Sequence, residues 1–297
     1  MIEKTSFMGF DAVRLSNEKK DELFIVTEIG PRIISFCPEG KENFFYVKKS
    51  ELRSDVRGSE SWHLFGGTRF WISPEMGLTY TPDNAPSEVQ IQKDTLIVVS
   101  PVDEKTMLRK TIMIELHGDS FTITYAIRNE GKHLFTAGLW ALSCVKPLSG
   151  AEIYLPWGDA SPWNVKDMKY WRSWLGVGSN IESSQWKPTN EFFIVRPTGD
   201  IGKVGFANNW SFAVYRVGTL SFVKKTDYIH AASYPDGGCS YEIYTSKEFH
   251  EIETLSPIYT IKPGLTFTHR EKWWAGYREI DLSSIEKAHG IISTLIT

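Results

Sequence analysis

The chain has 297 residues, with 33 Lys and Arg against 36 Asp and Glu, a formal net charge of −3. That balance excludes nucleic acid as a default partner, since such binding rests on a basic surface. No run of about 18 apolar residues occurs, so no spanning helix and no membrane partner are expected.

The opening stretch, Met1 to Leu15, carries Glu3 and Asp11 and has no apolar h-region, so no secretory leader is expected. The next residues alternate in period two. Leu23 to Thr27 and Arg32 to Phe36 read as strands, with Gly30-Pro31 as the turn between them. Val89 to Gln92 and Thr95 to Val99 read as a hairpin across Lys93-Asp94. Thr111 to Leu116 and Phe121 to Ile127 form another across His117-Gly118-Asp119, and Asn129-Glu130-Gly131 turns the chain again. Further strands are expected at 191–195, 204–206, 212–216, 220–224, 240–245, 259–261 and 266–274. Helical periodicity is confined to Asp281–His289, capped by Asp281 or Ser283, ended by Gly290, and expected to lie on a sheet edge. Short strands every 8 to 12 residues, with turn chemistry between them, predict an all-β sandwich or barrel. No linker or composition break divides the chain, so residues 1–297 are expected to form one domain.

Three scattered cysteines, Cys37, Cys144 and Cys239, lack a CxxC pair. They suit buried thiols in a reducing, cytoplasmic setting better than disulfides or zinc. No metal or cofactor is expected: no ligand set, phosphate loop or dinucleotide fingerprint is present. No segment specifies an oligomeric state.

The informative number is the aromatic content: 11 Trp, 12 Tyr and 17 Phe. These rings either fill a large β core or stand as plates for a ligand with an apolar face, such as a sugar. The irregular stretch 155–190 holds Trp157, Trp163, Trp171, Trp174 and Trp186 and reads as a functional loop. In Ser61 to Glu75, Gly66-Gly67 allows a sharp turn or a close approach to ligand. Arg69, Trp71 and Ser73 then share one strand face. Arg69 either clamps a ligand or pairs with Glu75, and His63 is either structural or an acid. Trp140 is a core ring or a platform. Tyr234 to Thr245 and Phe249 to Pro257, with Glu248 between them, gather Asp236, Glu242, Glu248, Glu251 and Glu253. That is more carboxylate than a core tolerates. They are solvated, or some are held in a cleft for proton transfer.

The ordered stretches Glu28 to Ile33, Gly66 to Glu75, Lys203 to Gly205, Tyr234 to Tyr244, Glu251 to Pro257, Lys262 to Gly264 and Glu271 to Trp273 resemble the galactose mutarotase-like (aldose 1-epimerase-like) superfamily. Within it they are most similar to a branch with a Gly-Gly-x-Arg-x-Trp-x-x-Pro-Glu signature, here Gly66 to Glu75. The resemblance implies a large antiparallel β-sandwich with a cleft on one sheet, a small-molecule carbohydrate as partner, and sugar isomerase activity. It places Glu253, in Glu253-Thr254 before the Pro263-Gly264 turn, on the family's base and Arg69 near its substrate-binding arginine. Trp71, Glu75, Trp140, Tyr234, Asp236 and Glu242 are the further substrate-binding candidates. One departure stands out. The family's acid is a histidine on the strand after the Asn-x-Gly turn, and Gly138 to Ser143 contains none. His63, His230 or Tyr234 would have to replace it. The same sandwich also hosts carbohydrate-binding proteins without catalysis, glycoside hydrolases and polysaccharide lyases.

Overall fold

The computed structural model describes residues 1–158, 166–174 and 177–296. Its antiparallel sheets are built from the alternating segments. A ten-stranded sheet runs, in spatial order, through Trp186–Pro188, Phe192–Val195, Glu152–Pro156, Phe212–Val217, Leu220–Thr226, Thr266–Gly276, Ser120–Asn129, Leu108–His117, Thr95–Asp103 and Glu88–Gln92. A seven-stranded sheet runs through Lys169–Tyr170, Gly202–Phe206, Tyr241–Thr245, His250–Leu255, Phe135–Val145 and Tyr259–Ile261, with Thr68–Ser73 also paired to Phe135–Val145. The two sheets pack face to face. Ile72, Leu139, Val204, Ile243 and Ile252 of the smaller sheet meet Ile112, Ile123, Ile153, Tyr215 and Phe222 of the larger in one continuous core. Inward apolar residues alternate with outward ones along each strand, as sheet packing requires.

A four-stranded sheet at the N-terminus joins Ile2–Phe7, Phe10–Ser16, Glu22–Val26 and Arg32–Cys37. Its first hairpin escapes sequence reading. The two-residue turn is Met8-Gly9, with φ of 51° and 85°. This is primed-turn geometry, but methionine is not a residue that advertises it.

The C-terminal helix corrects two expectations. It spans Ile285–Leu295 rather than Asp281–His289, with the Ser284 hydroxyl accepting from the Lys287 N–H as its cap. Gly290 lies inside it. Burial of Ile285, Ala288 and Ile292 along one stripe outweighs the roughly 1 kcal/mol that an interior glycine costs. The helix also avoids the sheet edge. It covers the outer face of the ten-stranded sheet, against Tyr154, Phe192, Ile194, Phe212, Val214, Val223 and Trp274. Among the described residues the outer face of the seven-stranded sheet has no such helix, and there polar residues collect.

Candidate functional site

Strand register assembles this face. Trp71 lies opposite Trp140 and Arg69 opposite Leu142. Leu142 lies opposite Glu253 and Cys144 opposite Glu251. Glu253 lies opposite Glu242, Glu251 opposite Tyr244, and Tyr244 opposite Lys203. Residues directly across a ladder point to the same side, so five strands deliver an arginine, a lysine, two tryptophans and three glutamates to one surface.

Two like charges facing each other across a ladder repel, and Lys203 resolves the Glu242–Glu253 pair. Its Nζ lies 2.8 Å from Glu242 Oε2 and 3.2 Å from Glu253 Oε2, over the Trp140 ring at 4.5 Å and the Trp171 ring at 5.4 Å. The Trp140 indole N–H donates to Glu253 Oε2 at 2.7 Å. Glu242 Oε1 and Glu253 Oε1 are buried and have no hydrogen-bond partner.

The electrostatics follow from that burial. Desolvation raises Glu242 well above the ordinary carboxylate value, with Lys203 opposing and Glu253 adding to it. Desolvation also raises Glu253, while Lys203 and the Trp140 N–H pull the other way. Burial, then the neighbouring Glu253, pushes Glu251 up to about 7, against Arg69 and Lys203. Burial pulls the Lys203 ammonium down, but its two carboxylates outweigh this and hold it above the ordinary lysine value.

Above the sheet, Trp62, Tyr80, Trp71 and Trp140 form an aromatic wall, with edge-on or tilted contacts at 5.0–6.1 Å between ring centroids. The Arg69 guanidinium sits over Trp62 at 4.6 Å and over Trp71 at 4.5 Å, and its Nη2 donates to the His63 carbonyl at 3.4 Å. Arg69 Nε and the indole nitrogens of Trp62 and Trp71 are buried without partners. Glu75 accepts from the Tyr80 hydroxyl. These groups enclose a cavity of about 490 Å³ whose lining includes Arg69, Trp71, Trp140, Lys203, Glu251 and Glu253. A second chamber of about 290 Å³ adjoins it, sharing Glu75, Tyr80, Trp140 and Lys203 and adding Met76, Gly77, Trp171 and Asp236.

The structure therefore brings Arg69, Trp71, Glu75, Trp140, Asp236, Glu242 and Glu253 to one region, and Asp236 there accepts from Ser73 Oγ at 3.2 Å. Three candidates lie apart from both chambers. The His63 ring is held by Glu51 through Nδ1 at 2.9 Å and by Ser59 through Nε2 at 3.0 Å, so it is a satisfied structural histidine. His230 is exposed and meets the edge of Tyr228. Tyr234 stacks on Tyr228 and its hydroxyl accepts from the Ile229 N–H. None of the three lines either chamber.

The expected Arg69–Glu75 ion pair is also absent among the described residues: the guanidinium is stacked between rings and the carboxylate serves Tyr80. Trp71 and Trp140 prove to be core and wall together, only 5% and 2% exposed yet lining the cavity. The glycine pair does not admit a ligand. A Cβ on Gly66 would meet the Tyr46 carbonyl oxygen at 2.2 Å, and one on Gly67 the Ile33 carbonyl oxygen at 2.4 Å, so both serve close packing of the chain on itself. Of the tryptophan-rich stretch, Trp157 and Trp186 join the main core and Trp171 reaches the second chamber. Trp163 and the side chain of Trp174 lie outside the described residues.

Lys203, Trp62 and Tyr80 are absent from the candidates drawn from sequence, and Trp171 enters there only as part of the 155–190 stretch. The signal for Lys203 was indirect: two glutamates at positions that pair across a ladder demand a cation, but only the register supplies its number. Trp171 is seated because Gly205 has no Cβ, which would lie 3.0 Å from its ring. Among the described residues, no group of three or more His, Cys, Asp or Glu side chains is arranged to hold a metal ion. No helix of the described residues is long and apolar enough to cross a membrane.

No protein-family model matches the chain, and no curated protein matches it. Solved structures do. The Slr1438 protein of Synechocystis sp. PCC 6803 superposes with a TM-score of 0.59 at 13% identity, over 92% of this chain and 99% of that one. A galactose mutarotase-like protein from Clostridium acetobutylicum gives 0.58 at 11%, over 93% and 98%. Another from Lactobacillus casei gives 0.56 at 10%, over 89% and 100%.

Proposed function

We infer a function from the site, because the mutarotase-like β-sandwich fold of the chain does not by itself assign an activity. We propose that the protein binds a monosaccharide in the larger chamber and interconverts its anomers, as an aldose 1-epimerase does, with Glu253 as the general base. The observation that carries this is the Glu253 carboxylate itself. One oxygen is held by the Trp140 N–H and the Lys203 ammonium, and the other has no partner, on the floor of a cavity walled by aromatic rings. Buried polar atoms are normally paired. Glu253 Oε1, Arg69 Nε and the Trp62 and Trp71 indole nitrogens leave acceptors and donors for a ligand rich in hydroxyls. Flat rings beside such groups suit a sugar, which has apolar faces and a polar edge, and about 490 Å³ falls within the usual range for small-molecule sites.

In this reading Arg69 binds ring hydroxyls, Trp71 and Trp140 shape the ring pocket, Glu75 lies where the two chambers meet, and Asp236 lines the second. Lys203 favours the ionised form of Glu253, the form that accepts the proton of the anomeric hydroxyl. The test is the rate of anomeric relaxation of a panel of hexoses and pentoses, followed by polarimetry or NMR. Acceleration over buffer for at least one sugar at micromolar protein is expected. Binding without acceleration would make the protein a lectin, and neither binding nor acceleration would refute a sugar site.

A further inference from the structure

Opening a sugar ring at its anomeric carbon requires two proton movements, one from the exocyclic hydroxyl and one onto the ring oxygen. Among the described residues the cleft contains no imidazole: His63 is tied to Glu51 and Ser59, and His230 is outside. Several other titratable groups of the chamber are engaged. The Tyr80 hydroxyl serves Glu75, Glu248 accepts from Tyr46, and Lys203 spans Glu242 and Glu253.

Glu251 differs from its neighbours. It lines the chamber, is partly open to it, and among the described residues touches no cation at ion-pair distance. The contact recorded for its carboxylate is a weak one, from the Cys144 thiol at 3.4 Å. It sits two residues from Glu253 on the same strand face, so the two carboxyls lie roughly 7 Å apart along the strand. That spacing lets them approach the two oxygens of one anomeric carbon from adjacent positions.

We propose that Glu251 is the general acid of this site, protonating the ring oxygen while Glu253 removes the proton of the anomeric hydroxyl. The proposal rests on the anomer-interconverting reading of the cleft. In the step, the C1–ring-oxygen bond breaks and its electron pair takes the Glu251 proton. The exocyclic oxygen gives its proton to Glu253 and becomes the carbonyl of the open chain. After rotation about C1–C2, the hydroxyl attacks the other carbonyl face and returns its proton to Glu251, and Glu253 reprotonates the new anomeric oxygen. Both carboxyls end as they began, and nothing is oxidised or reduced.

The surroundings keep Glu251 protonated near neutrality. Facing it are Cys144 and Arg69 on the neighbouring strands, Tyr244 opposite, and Lys203 and Glu253 nearby. Burial and the Glu253 charge outweigh the two cations and push it up to about 7, close to where a general acid works best.

The experiment measures kcat and KM of the wild-type protein and of Glu251→Gln across the pH range, with a thermal melt of each. Wild-type kcat/KM should fall as pH rises through about 7. Glu251→Gln keeps shape and hydrogen bonding but has no proton to give. It should lose roughly 100-fold in kcat with KM little changed, and lose the alkaline limb. A wild-type profile without that limb overturns the assignment whether or not the variant folds. A folded variant within about threefold of wild type does the same. A wild-type protein that accelerates no sugar removes the underlying reading as well, so the two failures are distinguishable.

Discussion

Two buried lysines lie on opposite faces of the His250–Leu255 strand, and their surroundings separate structure from function. On the core face, Lys224 bonds the Ala141 carbonyl at 2.9 Å, Ser143 Oγ at 3.0 Å and the Ile252 carbonyl at 2.8 Å, and pairs with Glu271 at 3.1 Å. Glu271 in turn accepts from Tyr125 at 3.2 Å, from Trp273 at 2.8 Å and from Thr254. Both carboxylate oxygens are used, and the two sheets are tied together through their core. On the cleft face, Lys203 meets two carboxylates, each with an oxygen left over. The closed network has no capacity for a ligand, whereas the open one has acceptors waiting beside a cavity. A saturated buried ion pair is thus a structural strut, and an unsaturated one beside a cavity marks a site.

The largest effect that tests this contrast is on stability. Lys224→Met leaves Glu271 buried without its cation and should cost about 3–5 kcal/mol. Lys203→Met should cost less than half as much, because Glu242 and Glu253 are already raised and can take up protons. Thermal melts decide this, and equal losses would break the comparison.

Next comes chemistry. Glu253→Gln should lower kcat for anomer interconversion by roughly 100-fold or more while melting near wild type. Polarimetry with a matched melt checks it, and an active variant would move the base elsewhere on this face.

A smaller effect concerns pH. Glu251 is raised from 4.5 to about 7 in the fold. The folded protein therefore holds this proton more tightly than the unfolded chain. The contribution is fully present below about 4.5 and lost as pH rises through about 7. Glu251→Gln has nothing to titrate, so relative to wild type it should gain about 1–2 kcal/mol between about pH 5 and about pH 8, allowing for partial solvent screening. Denaturant melts at the two pH values measure it.

The smallest is a shift in a profile. Trp140→Phe removes the N–H that favours ionised Glu253, so its carboxyl should rise further. The acid limb of kcat/KM should then move up by about one pH unit.

Much of this molecule is legible in its residues. Alternation in Thr95–Asp103, Leu108–His117 and Ser120–Asn129 specifies strands, because a side chain must leave a pleated ladder on alternate faces. The same rule places Arg69, Trp71 and Ser73 together, and Glu251 with Glu253. What exceeds local rules is pairing. That Glu253 faces Glu242, and that Lys203 answers both, depends on contacts between segments 11 and 50 residues apart, which no period records. The fates of the histidines were undecidable for the same reason: His63 is occupied by Glu51 and Ser59, partners chosen by loop packing rather than by spacing. Gly290 went the other way, a local stop signal overruled when Ile292 found an apolar sheet face to cover. The sequence by itself determined which residues form strands and which share a face, since both follow from backbone geometry. Only the tertiary structure decided which faces meet and which buried charges find partners, because those depend on the register of distant strands.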